Sequence, residues 1–107
     1  MFIKYEEEEL FDFFEDNPII IGEFEAGNLL YSYERAAFKI VLLISIYERS
    51  IEITICYNEH TIYNQKHDHI FEIRKIDSNT MKILKKEEHI IIKKDPQIGV
   101  MIESMME

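Results

Sequence analysis

The chain has 107 residues, of which 47% are apolar, and a formal net charge of −9. This length and apolar share fit one domain with an ordinary core. The acidic excess and the lack of a basic stripe argue against direct nucleic-acid binding, and the longest apolar run, residues 40–46, is far shorter than the roughly 20 residues that a membrane span needs.

The net charge is concentrated in the first third of the chain. Residues 1–34 carry ten acidic residues against one lysine, Lys4, whereas residues 35–107 carry eleven acidic and eleven basic residues. A concentrated field of one sign steers and orients a partner of the opposite sign. The acidic third is therefore the first candidate for a functional surface.

Residues 5–16 are predicted to form an amphipathic helix. At about 100° per residue, the helix places on one arc four apolar side chains, extended by Ile3: Leu10, Phe11, Phe13 and Phe14. The opposite arc carries five carboxylates: Glu8, Glu9, Asp12, Glu15 and Asp16. Pro18 stops the helix, because proline disfavours α geometry in the residue before it. We expect the aromatic arc to pack on a sheet and the acidic arc to face water.

Alternation with a period of two then predicts a series of short strands. These span residues 19–24, 38–47, 51–57, 60–64, 70–76, 81–85 and 89–93. Strand 38–47 is predicted to be central, because both of its faces are apolar in part. Three segments are predicted less regularly: 29–37 as an irregular strand or a loop, 65–69 as a polar loop, and 98–102 as a strand or a helix.

The short connections between these strands favour antiparallel hairpins. The predicted fold is a single α+β domain, residues 1–107, in which the N-terminal amphipathic helix packs on a mostly antiparallel β-meander sheet of about six to eight short strands.

The acidic arc of the helix has two interpretations. Its carboxylates include like-charge pairs four residues apart, which destabilise a helix by a few tenths of a kcal/mol each, and no lysine or arginine lies within the helix. The arc is either a docking surface for a basic protein or an ordinary solvated face. If it docks a partner, the binding residues are acidic, with two tyrosine anchors: Glu8, Glu9, Asp12, Glu15, Asp16, Glu23, Glu25, Tyr31 and Tyr33.

The histidines and the cysteine do not make a specific catalytic or metal motif. His67 and His69, with His60 or His89, have the side-chain types of a zinc site, but their spacing is non-specific. Cys56 lies in a predicted strand without an orienting acid. We predict no catalytic residue, no metal site and no cofactor; an enzyme would instead need a deep pocket that gathers these histidines or the cysteine.

The N-terminus has acids where a secretory signal would be cationic. The lone Cys56, expected to be a small buried hydrophobe, excludes an internal disulfide and fits a reducing compartment. We therefore expect a cytoplasmic protein that binds neither a membrane nor nucleic acid.

The acidic helix YEEEELFDFFEDN and the strand series from FKIVLLISIY to HIIIKK resemble those of immunity proteins from bacterial toxin–immunity pairs. The resemblance covers most of the chain. In that class an acidic surface commonly caps the basic active cleft of a nuclease toxin. The resemblance therefore implies a non-catalytic inhibitor that binds and occludes a basic protein partner, such as a nuclease toxin.

The alternative is a structural or self-associating module without catalytic activity. In that case an edge strand such as 89–93, or the apolar tail at 100–106, forms a homo-oligomer, and the acids are incidental. The sequence leaves the oligomeric state open.

Overall fold

The computed structural model describes residues 2–104, which form one α-helix and nine β-strands. In chain order these are α1 (Glu7–Phe14), β1 (Ile19–Ile20), β2 (Asn28–Arg35), β3 (Phe38–Ser45), β4 (Ser50–Tyr57), β5 (His60–His67), β6 (Glu72–Asp77), β7 (Thr80–Leu84), β8 (Glu88–Lys93) and β9 (Gly99–Ser104). A short 3-10 turn, Phe24–Ala26, lies between β1 and β2. Residues 105 and 106 of the predicted apolar tail lie outside the described residues.

The strands form two antiparallel meanders, with the order β1-β2-β3-β4-β5 in one sheet and β6-β7-β8-β9 in the other. Within each sheet, every strand pairs with its neighbour in sequence, as short hairpin connections require. The predicted α+β class, the N-terminal helix and the antiparallel meander are confirmed, and β3 is central in its sheet. The meander is divided into two sheets, and the nine strands slightly exceed the expected number.

The core is built from the alternating faces of both sheets. The buried side chains of the central strands are isoleucines and one leucine from β3 and β4: Ile40, Leu42, Ile44, Ile51, Ile53 and Ile55. Met81, Ile83, Ile90 and Ile92 supply the second sheet, and all of these belong to one cluster with the helix. Each fully buried aliphatic side chain contributes roughly 1.5–3 kcal/mol by transfer from water.

The N-terminal segment joins the two sheets. The Ile3 N–H donates to the carbonyl of Ile46, just after β3, over 3.1 Å. The Lys4 N–H donates to the Phe71 carbonyl at 3.0 Å, and the Lys4 carbonyl accepts from the Ile73 N–H at 2.9 Å. Residues 3 and 4 therefore close the gap between the meanders with backbone hydrogen bonds.

The helix is shorter than the predicted span of 5–16, and one of its predicted anchors is wrong. Glu15 has a φ of 60° and donates its N–H to the Phe11 carbonyl at 2.7 Å, so the helix ends at Phe14, before Pro18 takes effect. Leu10, Phe13 and Phe14 are buried as expected, but Phe11 is 48% exposed. The sheet covers only part of the apolar arc.

Several strand predictions also change. The strand expected at 19–24 is reduced to two residues, because Gly22 has a φ of 74° and the chain then enters the 3-10 turn. Residues 28–35 form a regular strand, residues 65–67 continue β5 instead of forming a loop, and 99–104 is a strand and not a helix. Backbone pairing across a sheet settles these segments, and local composition does not reveal it.

Candidate protein-docking surface

Buried aromatic contacts fix the position of α1. The Phe14 ring stacks on the Tyr31 ring of β2, with centroids 5.0 Å apart, and Phe13 meets Phe14 edge-on at 5.1 Å. Such ring pairs add to the free energy of burying their area. The helix is therefore held by its aromatic face, and its carboxylates point away from the core.

Lys94, immediately after β8, holds the C-terminal end of the helix. Its side chain is 5% exposed, and its Nζ donates to the Phe13 carbonyl at 2.7 Å and contacts Glu15 Oε2 at 3.3 Å. The same ammonium lies over the rings of Phe13 and Tyr33, at 4.8 and 4.4 Å from their centroids. A cation at a helix C-terminus stabilises the partial negative charge of the last carbonyls.

Lys75 of β6 holds the middle of the helix. Its backbone N–H donates to Glu9 Oε1 at 2.7 Å, and its Nζ contacts Asp12 Oδ2 at 3.2 Å. Glu9, Asp12 and Glu15 thus contact lysines of the four-stranded sheet. The acidic arc has no cation within the helix, as the sequence indicates, but residues distant in the chain contact three of its five carboxylates, two of them through a lysine ammonium.

Of the remaining acids of the first third, Glu34 contacts Lys39 of β3 at 3.8 Å. The others have no lysine or arginine partner in residues 2–104, and their exposed side chains are Glu6, Glu7, Glu8, Asp16, Glu23 and Glu25. Asp16 only accepts the N–H of Asn17, at 2.8 Å. The negative charge available to a partner therefore comes from the start of α1 and from the segment around the 3-10 turn.

The two predicted tyrosine anchors face inwards. Tyr31 pairs with Leu42 and Tyr33 with Ile40 in the β2–β3 register, and directly paired residues share a face of the sheet. Tyr31 is accordingly 2% exposed, and burial, with Tyr5 and Glu7 nearby, raises its pKa to about 12. Tyr33 is half-buried against Lys94. Tyr31 therefore offers a partner little surface, although it helps to line a surface groove with Leu29 and Tyr47, and the anchoring role of the two tyrosines stays a prediction.

A groove of aromatic side chains lies beside the free acids, and the sequence prediction missed it. It has a volume of about 210 Å³. Its exposed walls include Phe24 (77% exposed), Tyr47 (61%), Phe11 (48%) and Ile20 (38%). The sequence indicated the exposure of Tyr47. In the alternating pattern of residues 38–47, position 47 falls on the side opposite the buried residues Ile44 and Ile46.

A second depression continues the groove along the helix. It is lined by Glu7, Glu8, Phe11, Asp12 and Asn17, three of which (Glu7, Phe11 and Asn17) also line the groove. Apolar and acidic surfaces therefore meet along α1. We call the two together the aromatic groove and its acidic rim.

The histidines and the cysteine do not converge on one pocket. His69 lines a depression of about 760 Å³ beside Arg49, Lys85 and Lys86, whereas Cys56 lies in another depression beside Phe38. Within residues 2–104, no three His, Cys, Asp or Glu side chains are grouped as a metal site requires. Cys56 is half-buried on the wet face of β4, with its Sγ 3.7 Å from Thr61 Oγ1, and is not the core residue expected.

His67 lies in the segment predicted to be an exposed polar loop, but it is buried. It ends β5, is 7% exposed and has no hydrogen-bond partner for its Nε2 among the described atoms. Burial lowers its pKa, and the nearby Lys85 lowers it further, against smaller opposing effects from Glu88 and Asp68. The imidazole is therefore neutral at physiological pH.

No helix in the described part of the chain combines the length and the apolar composition of a membrane span. No protein-family model and no curated protein matches the chain. Among solved structures, it is similar to a chain of a contact-dependent growth inhibition toxin–immunity protein complex from Klebsiella pneumoniae 342. The similarity has a TM-score of 0.83 and 23% sequence identity, and it covers 97% of this chain and 99% of that chain. The likeness to toxin–immunity proteins that the sequence indicated is confirmed for the fold.

Proposed function

We propose that this chain is an immunity protein that binds and occludes a protein toxin. The observation that carries the proposal is the fold shared, over nearly the whole of both chains, with a chain of a growth-inhibition toxin–immunity complex. A fold alone does not determine function, so the charge and shape of the surface must support the role.

The negative charge around α1 and the 3-10 turn supports the immunity role. Glu7, Glu8, Glu23 and Glu25 are exposed and without ion pairs in residues 2–104. A nuclease toxin needs a basic cleft for its phosphate substrate, and carboxylates presented by an inhibitor take the place of those phosphates. The proposed partner is therefore a basic toxin, such as a nuclease.

Inhibition in this proposal requires binding and no covalent chemistry. The unpaired acids steer the toxin into contact and raise the association rate. Glu8, Asp16, Glu23 and Glu25 contact it directly, while Glu9, Asp12 and Glu15 add to the field from their contacts with the sheet. The free thiol of Cys56 suits the reducing cytoplasm, where a toxin acting on intracellular nucleic acid would have to be blocked.

Co-expression tests the proposal directly. The protein encoded by the gene next to this one is induced in a sensitive bacterium as the candidate toxin, with or without this chain, and growth is followed. We expect arrest by the toxin alone, rescue by the chain, and no effect of the chain alone. Growth arrest by the chain alone would identify it as a toxin, and failure to rescue would overturn the immunity role.

Self-association remains the second candidate function, and the structure moves its candidate edge strand from residues 89–93 to β9. Strand β8, which contains residues 89–93, lies between β7 and β9 and is not an edge strand. Strand β9 is an edge, and its Met101 and Ile102 are each 48% exposed. Light scattering at low and high salt separates the candidates: the immunity role predicts a monomer, and a dimer insensitive to salt favours the module.

A further inference from the structure

The aromatic groove gives the proposed partner a more specific chemistry than net charge does. We propose that the groove receives a large apolar side chain of the toxin, while lysine or arginine residues flanking that side chain contact the acidic rim. This inference rests on the proposed function, since it describes the segment of the toxin that binds.

The exposed aromatic residues form one concave surface. Single exposed apolar residues are normal on proteins, whereas a contiguous group marks a binding site. Phe11, Ile20, Phe24 and Tyr47 come from α1, β1, the 3-10 turn and the β3–β4 turn, and they line the same groove over a floor that includes Leu29. At about 210 Å³, it is smaller than typical small-molecule pockets and suits one large side chain.

The backbone at Gly27 shapes the groove. Gly27 has a φ of 70°, and its N–H donates to the Phe24 carbonyl at 3.2 Å, which closes the turn that presents Phe24. A Cβ at this position would lie 2.8 Å from Tyr47 Cε2. The absent side chain therefore lets the Tyr47 ring lie against the turn, and the two most exposed aromatic walls are set by one glycine.

The charge around the groove selects a basic occupant. Among the described residues, neither the groove nor its rim is lined by lysine or arginine; Glu7 lines both depressions, and Glu8 lines the second. Glu23 and Glu25 flank Phe24 in the chain. A second copy of this chain would bring the same acids towards each other, which opposes self-association through this face.

Binding measurements on single groove variants test the inference. The probe is the toxin identified by the co-expression test, carrying an inactivating substitution, and affinity and rates are measured at low and high salt. We expect Phe24→Ser and Tyr47→Ser each to weaken binding about 30-fold or more, mainly through faster dissociation. Because the lost contact is apolar, the loss should be similar at both salt concentrations.

A matched control separates the groove from general surface hydrophobicity. Ile62 on the edge strand β5 is 59% exposed and does not line the groove, so Ile62→Ser should leave affinity unchanged. Tight toxin binding by both groove variants would overturn this inference alone. An unaltered chain that does not bind the toxin would overturn the proposed function and this inference with it.

Two glycine variants supply an indirect test that leaves the aromatic residues in place. Gly22 and Gly27 both have positive φ, so alanine strains the backbone at each, but a Cβ at Gly22 meets no atom within 4 Å. Gly27→Ala should weaken toxin binding, by moving Tyr47, well beyond any effect of Gly22→Ala. If both glycine variants fold and bind the toxin equally well, the assigned role of the Tyr47 ring is contradicted. If Gly27→Ala loses self-association but not toxin binding, the groove binds a second copy of this chain.

Discussion

Two sets of carboxylates on one short helix have different structural roles. The sheet-side carboxylates, Glu9, Asp12 and Glu15, contact Lys75 of β6 and Lys94 immediately after β8. The groove-side carboxylates, Glu7 and Glu8, have no ion pair in residues 2–104; Glu7 lines the apolar groove, and Glu8 lines the adjoining depression, which Asp12 also lines. The comparison shows that net charge alone does not define a docking surface, since intramolecular lysines already balance part of it.

The two sets divide stability from recognition. A carboxylate held by a lysine of its own chain helps to place the helix and offers less field to a partner. A free carboxylate adds little to stability, and repulsion from its neighbours costs a few tenths of a kcal/mol in a helix. Substitutions in each set, and at the lysines that contact them, test that division.

The largest effect is expected where the helix end is tethered. Lys94→Ala removes a cation packed on two rings and leaves the Phe13 carbonyl without its partner. We expect the free energy of unfolding to fall by about 2–3 kcal/mol. Most of this comes from the carbonyl and the lost packing, because Glu15 is largely exposed and is rehydrated.

Urea denaturation measures that change, with Lys93→Ala as the control. Lys93 is the exposed neighbour at the end of β8, and its truncation should alter stability by no more than about 0.5 kcal/mol. If Lys94→Ala and Lys93→Ala are equally stable, the tether is not a support of the helix.

A pair of double variants with equal change in charge separates the two sets of carboxylates. Glu9→Gln with Asp12→Asn removes the negative charge from the contacts to Lys75 while leaving amide oxygens that can still accept its hydrogen bonds, and should cost about 0.5–1 kcal/mol of stability. Glu7→Gln with Glu8→Gln should leave stability unchanged within a few tenths but slow toxin association several-fold and weaken its salt dependence. Stopped-flow binding and urea denaturation provide the two readouts, and identical effects of both variants would remove the distinction.

The smallest effect concerns His67, an ionisable group away from both sets. Burial lowers its pKa from the usual 6.5, so the unfolded chain binds the proton more readily. Its contribution to stability is therefore complete above about pH 6.5 and is lost as the pH falls below that value. The free energy of unfolding should therefore fall with decreasing pH below about 6.5. We expect this pH dependence to be lost in His67→Gln and kept in the control variant of an exposed neighbour, His69→Gln. An unchanged pH dependence in His67→Gln would exclude His67 as its source.

The period-two pattern was sufficient to predict the central strands but not the whole sheet. Ile40, Leu42 and Ile44 alternate along β3 and are buried, as the pattern requires. Residues 28–35 lack so clear a pattern, and their regularity comes from pairing with β3. That pairing also turns Tyr31 into the core, which local sequence does not specify.

The candidate surface was also predictable only where a pattern within one element determines it. Hydrophobic periodicity correctly separated Phe13 and Phe14 from the acidic arc, because both faces belong to one helix. The pairing of Glu9 with Lys75 and of Glu15 with Lys94 depends on how the second sheet docks. Contacts between residues so distant in the chain are invisible to a periodic pattern, as is the convergence of Phe11, Phe24 and Tyr47.

The hydrogen bonds of Lys4 close a long loop, and closing it costs more chain entropy than closing a hairpin does. Both meanders consist of pairings between consecutive strands, which close short loops at small cost. The bonds from Lys4 to Phe71 and Ile73 enclose the helix and the entire five-stranded sheet between their ends. The topology is therefore mostly local within each sheet, and the Lys4 bonds act with the contacts of Lys75 to Glu9 and of Lys94 to Phe13 as long-range closures that join the two meanders.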